Sequence, residues 1–190
     1  MNKTTKAFAL LFTAGLVLAG CGQKQDSTAT TQAQTTAAPT TAAPTTATPT
    51  TVAKAKTEMP AGAQKTVFEA SAKGGTETMT VYYKDDVLLK QETVEVYTLS
   101  QLEVENALEK LQNNAARTKE ALKDFIGKGF EYNTEHKGDI FTITYSFDYT
   151  KIDLDKLKEK IPGLDLRDDK TLSYSAFKEG LLKGGYKEKQ

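Results

Sequence analysis

In the stretch FEYNTEHKGDIFTITYSFDY, residues 130–149, the large side chains Phe141, Ile143, Tyr145, Phe147 and Tyr149 occupy every second position. Thr142, Thr144, Ser146 and Asp148 fill the places between them. A period of two puts the five large residues on one face of a β-strand. A face of that size needs a cover, and helices are the expected cover where the alternate face stays polar. Lys137-Gly138-Asp139, midway, is a tight-turn sequence, so the stretch predicts a hairpin. The chain therefore has to build an antiparallel sheet and supply something to lay on it.

Earlier residues add strands. KTVFEASAKGGTETMTVYYKDD, 65–86, reads as two strands joined at Lys73-Gly74-Gly75. Met79, Val81 and Tyr83 share one face there, and Thr78, Thr80 and Tyr82 the other. After the polar turn Asp85-Asp86, VLLKQETVEVYTL reads as a third strand. Its untidy alternation predicts a bulge or a change of buried face.

The helical periods lie between and after the strands. Ser100-Gln101-Leu102-Glu103 is a capping-box sequence, followed by an apolar stripe of Val104, Leu108, Leu111 and Ala115. That helix ends near Asn113-Asn114 or continues towards Phe125, and Gly127 and Gly129 close the segment. Asp153 is placed to cap a short helix carrying Leu154, Leu157 and Ile161, stopped by Pro162-Gly163. A last helix is expected from about Ser173, with Phe177, Leu181 and Leu182 apolar and Gly184-Gly185 as its end. The order βββ-α-ββ-α-α predicts an α+β domain: a meandering antiparallel sheet of about five strands, packed by helices on one face.

All of this falls within residues 65–190. From 27 to 52 the composition collapses to Thr, Ala, Pro and Gln, with TTAAP twice and then TTATP. Such a segment has no large apolar or charged side chain with which to offset its ordering entropy. Residues 21–64 are thus expected to be a cysteine followed by a disordered tether. A Gly-rich coil as long as residues 22–64 spans about 36 Å on average, and a fully extended polyproline form about 130 Å.

Residues 1–20 have the plan of a bacterial export signal: Lys3 and Lys6, an apolar run over 8–19, then the small residues Ala19 and Gly20. As a helix the run reaches only about 18 Å, short of a hydrocarbon core of about 30 Å. Leu18-Ala19-Gly20-Cys21 resembles the lipobox of bacterial lipoproteins. The resemblance implies cleavage between Gly20 and Cys21, a diacylglyceryl thioether on the Cys21 sulfur and an acyl group on its amine. Two or three acyl chains hold a protein to a bilayer where one is marginal. Cys21 is the chain's one cysteine and His136 its one histidine, so a redox or metal role for Cys21 lacks partners. After loss of the leader the chain has 23 basic and 25 acidic residues, which leaves no basic footprint for nucleic acid.

The lipobox, the hairpin around KGGTETMTVYYKDD and above all FDYTKIDLDKLKEKIPG resemble the YehR-type family of bacterial lipoproteins. The resemblance covers most of 65–190 and is most specific over Asp148-Tyr149-Thr150-Lys151 with Asp153 and Leu154. It implies a fold and an envelope location. It carries over no catalytic residues, because the family is itself a domain of unknown function. The long Thr/Ala/Pro tether departs from the short family form and reads as an added spacer.

Chemistry-bearing patterns are sparse. His136 sits beside the turn at Lys137-Gly138, where a solvated polar residue belongs. No Gly-x-Ser-x-Gly elbow accompanies it, and no zinc-ligand spacing. Asp165, Asp168 and Asp169 lack the spacing of a calcium loop and suit the approach to a helix N-terminus; Asp153 and Asp155 suit a helix start. Gly74-Gly75 and Gly184-Gly185 lack the flanks of a phosphate loop. The tyrosines at strand spacing read first as half-buried core; if one of them faces outward and contacts a ligand it is Tyr82, opposite Met79, Val81 and Tyr83. The sequence thus predicts no catalytic residue, metal or cofactor. It predicts a non-enzymatic protein held at the extracytoplasmic face of the cell membrane by Cys21, binding or scaffolding a cell-wall or envelope partner. A small-ligand receptor serving a transporter is the alternative, and a wall hydrolase the third reading. The style of the tether favours a Gram-positive host.

Overall fold

A computed structural model of the chain describes residues 61–161 and 163–189. The expected leader, Gly20, Cys21, nearly all of the tether, and Pro162 lie outside them. Among the described residues, six antiparallel strands form one sheet: β1 (Gln64–Ala72), β2 (Gly75–Lys84), β3 (Val87–Thr98), β4 (Phe130–Lys137), β5 (Ile140–Asp148) and β6 (Lys187–Lys189). Three α-helices accompany it: α1 (Ala107–Ala121), α2 (Leu154–Lys160) and α3 (Tyr174–Lys183). The α+β class holds, with one strand more than expected. Lys187–Lys189 has no apolar alternation, and it becomes a strand only by pairing with the outer edge of β1.

The spatial order is β4-β5-β3-β2-β1-β6. β1 to β3 meander through two tight turns. The segment containing α1 then carries the chain past one strand position, so β5 and not β4 lies beside β3. The Asp85-Asp86 turn takes left-handed values, φ 48° and 64°, which match the twist of a two-residue hairpin. The irregularity expected in the third strand is a bulge. Tyr82 pairs with Lys90 but Tyr83 with Leu88, leaving Leu89 extra. Leu88 and Gln91 therefore share a face, although they are three residues apart.

Registers define what that face carries. Thr66, Val81, Gln91, Phe147 and Phe130 form one cross-strand row, and Phe68, Met79, Thr93, Tyr145 and Tyr132 the next. Leu157 of α2 and Phe177 and Leu181 of α3 bury against Phe68, Met79, Val81, Leu88, Phe130 and Phe147. Leu111 and Ala115 of α1 bury against Tyr97, Phe141 and Ile143 in a second, smaller cluster. Each fully buried Phe or Leu contributes roughly 1.5–3 kcal/mol by leaving water. All three helices thus lie on the face predicted for Phe141, Ile143, Tyr145, Phe147 and Tyr149.

Two helix ends match their sequence signals. The Asp153 side chain accepts the N–H of Lys156 at 3.1 Å, and Ser173 accepts that of Ala176 at 3.2 Å. The capping box at Ser100 does not operate, and α1 begins at Ala107. Asp139, in the β4–β5 turn, accepts both the N–H and the hydroxyl of Ser100, and Glu103 pairs with Lys73. Both halves of the box are spent on neighbouring hairpins. Residues 99–101 form a 3-10 turn instead. The helix runs on to Ala121 and into a second 3-10 turn, Lys123–Phe125. Leu182 is 46% exposed, while Tyr174 takes the inward position one turn before Phe177.

Candidate functional site

β3 lies within the helix-covered sheet, and beyond Leu88 its inward residues carry polar groups: Gln91, Thr93, Glu95 and Tyr97, all buried. They form a seam between the two apolar clusters. Gln91 accepts from the Tyr149 hydroxyl at 2.9 Å and donates to Thr93 at 3.1 Å. Glu95 accepts from the Tyr97 hydroxyl at 2.7 Å and from that of Tyr145. Directly across the strand from Glu95 is Glu77 of β2, and directly opposed residues have Cβ atoms about 4.5–5.5 Å apart. Glu77 is 8% exposed and Glu95 6%.

Two buried carboxylates side by side are costly unless they are paired or neutralised. One oxygen of Glu77 accepts from the Tyr186 hydroxyl; the other, Oε1, has no hydrogen-bond partner. Burial pushes the Glu77 carboxyl up to about 7, and Glu95 adds to the rise, while the Tyr186 hydrogen bond opposes it. Burial likewise raises Glu95, against the pull of its two tyrosine donors. Beside Glu95 lies a cavity of about 30 Å³, lined by Thr118 and Leu122 of the α1 segment and by Phe130, Tyr132, Tyr145 and Phe147 of the sheet. That volume suits one or two waters. A wider depression of about 620 Å³ runs along the outer flank of α1, past Asn113, Ala116, Arg117, Glu120 and Ala121, with no polar group converging from a second element.

The structure scatters the residues singled out in the sequence. Tyr82 does point away from the helices, as expected, but it is 8% exposed and not an open contact. Its hydroxyl donates to Glu92 at 3.1 Å, and the Lys90 ammonium lies 5.9 Å from its ring centre and 2.7 Å from Glu92. Burial and Glu92 raise its hydroxyl to about 12. His136 stands exposed at the end of β4, its Nε2 2.8 Å from the carbonyl of Gly138. Asp165 and Asp168 are exposed, and Asp169 accepts from the Thr171 N–H and hydroxyl in a local turn. Asp153 caps α2, and Asp155 pairs with Lys170. None of these joins the Glu77–Glu95 pair.

Sequence reasoning passed over that pair. Its signal was nonetheless present: Glu77 falls in step with Met79 and Val81, so a carboxylate occupies a core position. Glu95 was hidden by Val94 and Val96, whose parity suggested that the valines, and not the glutamate, face inward.

A one-sided six-stranded antiparallel sheet with three helices and a buried acidic seam defines a small α+β domain with no open cleft at its carboxylates. The chain belongs to the family described as protein of unknown function (DUF1307), whose model matches residues 64–187. The resemblance noted over 65–190 thus holds at the level of a domain of unknown function. The chain is similar to the NMR structure of the Escherichia coli YehR protein at 20% identity and TM-score 0.49, over 66% of this chain and 90% of that one. It is similar also to the NMR structure of a protein from Streptococcus pneumoniae TIGR4 at 18% identity and TM-score 0.43, over 80% of this chain and all of that one. Neither likeness assigns a residue role. No curated protein matches the chain.

Proposed function

We propose that the chain is a bacterial cell-envelope lipoprotein, exported by residues 1–20, lipidated on Cys21 and carrying its folded domain at the end of a tether. The observation that carries this reading is Leu18-Ala19-Gly20-Cys21, which closes an apolar leader a few residues ahead of the uncharged Thr/Ala/Pro-rich stretch over 27–52. Its support is chemical: the single cysteine stands where a lipid thioether forms, and several acyl chains suffice to anchor a protein of this size. Among the described residues no helix is long and apolar enough to cross a membrane. The domain binds or scaffolds an envelope partner without catalysis. That part rests on the closed setting of Glu77 and Glu95, whose neighbouring cavity admits water but not a substrate. That volume is an order of magnitude below the roughly 300–1,000 Å³ of a small-molecule site, and the wider depression of about 620 Å³ is lined by α1 alone, so neither favours a transporter-linked receptor.

Cys21→Ala tests the anchor. Expressed in a bacterial host and partitioned in detergent, the wild-type chain is expected in the detergent phase. The variant is expected in the aqueous phase or as an uncleaved precursor. A variant that is cleaved normally and still follows the membrane overturns the reading.

A further inference from the structure

Glu77 and Glu95 occupy a buried row between Ala70 and Ile143 where apolar side chains would be expected, and they accept there from tyrosine hydroxyls. What surrounds them is selective. The titratable groups turned towards the pair are Tyr97 of β3, Tyr132 of β4, Tyr145 of β5 and Tyr186 beyond α3. β1 presents Ala70 across from Glu77, and the α1 segment presents Thr118 and Leu122 beside Glu95. All four phenols are held above their ordinary value, chiefly by burial, so none is charged near neutral pH. Among the described residues no lysine, arginine or histidine bonds either carboxylate. The environment therefore tolerates one negative charge, solvated by phenol donors, far better than two.

We propose that Glu77 and Glu95 share a single proton in the native state and form a pH-sensitive latch, with α1 as the element that opens when the second charge appears. Glu77, directly across the strand from Glu95, has one oxygen, Oε1, with no hydrogen-bond partner, the place for a proton held by the pair. α1 is the helix whose C-terminal segment lies beside Glu95, with Thr118 and Leu122 lining the same small cavity. Its N-cap, Asn106, is left-handed at φ 54° and makes no side-chain cap bond, and its buried residues are one leucine and two alanines, Ala107, Leu111 and Ala115. The small cavity already lies beneath its end, at Thr118 and Leu122. Lifting α1 hydrates Glu95 first, then its neighbour.

The sign follows from proton linkage. Folding raises Glu77 from 4.5 to about 7, so the closed state binds the proton more tightly than the open one. The stability this contributes is complete below the unfolded value and is lost as pH rises through the folded value. In the full chain, native-state hydrogen exchange of the α1 amides, corrected for intrinsic rates, should show the opening equilibrium rising on the order of 25-fold from about pH 5.5 to about pH 8. Glu77→Gln should flatten that rise, and Glu95→Gln should lessen it, because Glu95 only adds to what burial does. A flat or falling wild-type profile overturns the proposal, and so does the same rise in both glutamine variants. Should the variants not fold, the wild-type carboxyl ¹³C titration decides. A Glu77 signal titrating near neutrality supports the latch, and both carboxyls titrating in the ordinary glutamate range overturn it.

Discussion

A single glycine shows how tightly the smaller residues are specified. Gly129, between α1 and β4, has φ 103°, and a Cβ added there would lie 2.6 Å from Ile152 Cγ1 and 2.8 Å from the Asp148 carbonyl oxygen. Left-handed backbone and a blocked Cβ position act together. Gly129→Ala should destabilise the domain by roughly 3 kcal/mol in chemical denaturation. Gly138, also left-handed at φ 58° but with nothing near its Cβ, should cost much less on the same change. Equal losses at the two positions would show that the close approach to Ile152 carries no weight. In the sequence the two glycines look alike as segment ends. What separates them is Ile152, twenty-three residues beyond Gly129, a long-range neighbour that no local pattern displays.

At the scale of elements, the hairpin turn β2–β3 is fastened to the N-terminus of α3 through Asp86. Its carboxylate accepts the Ser175 N–H at 2.7 Å and the Ser173 hydroxyl at 3.0 Å, and its carbonyl accepts the Tyr174 N–H. The Ser175 N–H is the leading cause that holds the Asp86 carboxyl below its ordinary value of 3.8, with Arg167 nearby adding to it. Asp86→Ala should cost about 1–2 kcal/mol, a lost cap together with an orphaned donor. A depressed carboxyl stabilises above the unfolded value, so the gap between wild type and variant should close as pH falls below about 4. A gap that persists in acid would mean that the backbone turn, and not the carboxylate, is the fastening. Strands β1 to β5 and the two short helices were legible because Asp153, Ser173 and the aromatic alternation of β5 are local signals; β6 was not, because it exists only by pairing with β1. The start of α1 was not, because Asp139 and Lys73 compete for Ser100 and Glu103 from hairpins distant in sequence. Nor was the inward face of β3, since the Leu89 bulge resets the parity that Val94 and Val96 advertise.

For the whole molecule, the sheet order was the least legible feature. Alternation identifies strands but not neighbours, and the crossing of α1 that sets β5 against β3 leaves no mark in local periodicity. Function divides in the same way. The proposed anchor is read from residues 1–21, outside the described domain, whereas the acidic seam is visible only once β2 and β3 are in register. The proposed protein combines the two: a closed domain with a proton-sharing pair in its core, carried on a spacer from a lipid at Cys21. The proposed anchor is tested by the intact mass of the chain isolated from the membrane fraction of a bacterial host, with sequencing of its first residues. A lipid-anchored chain begins at Cys21 and carries the mass of a diacylglyceryl group with or without a further acyl chain. A chain that retains residues 1–20, or one beginning elsewhere with an unmodified thiol or none, would contradict it.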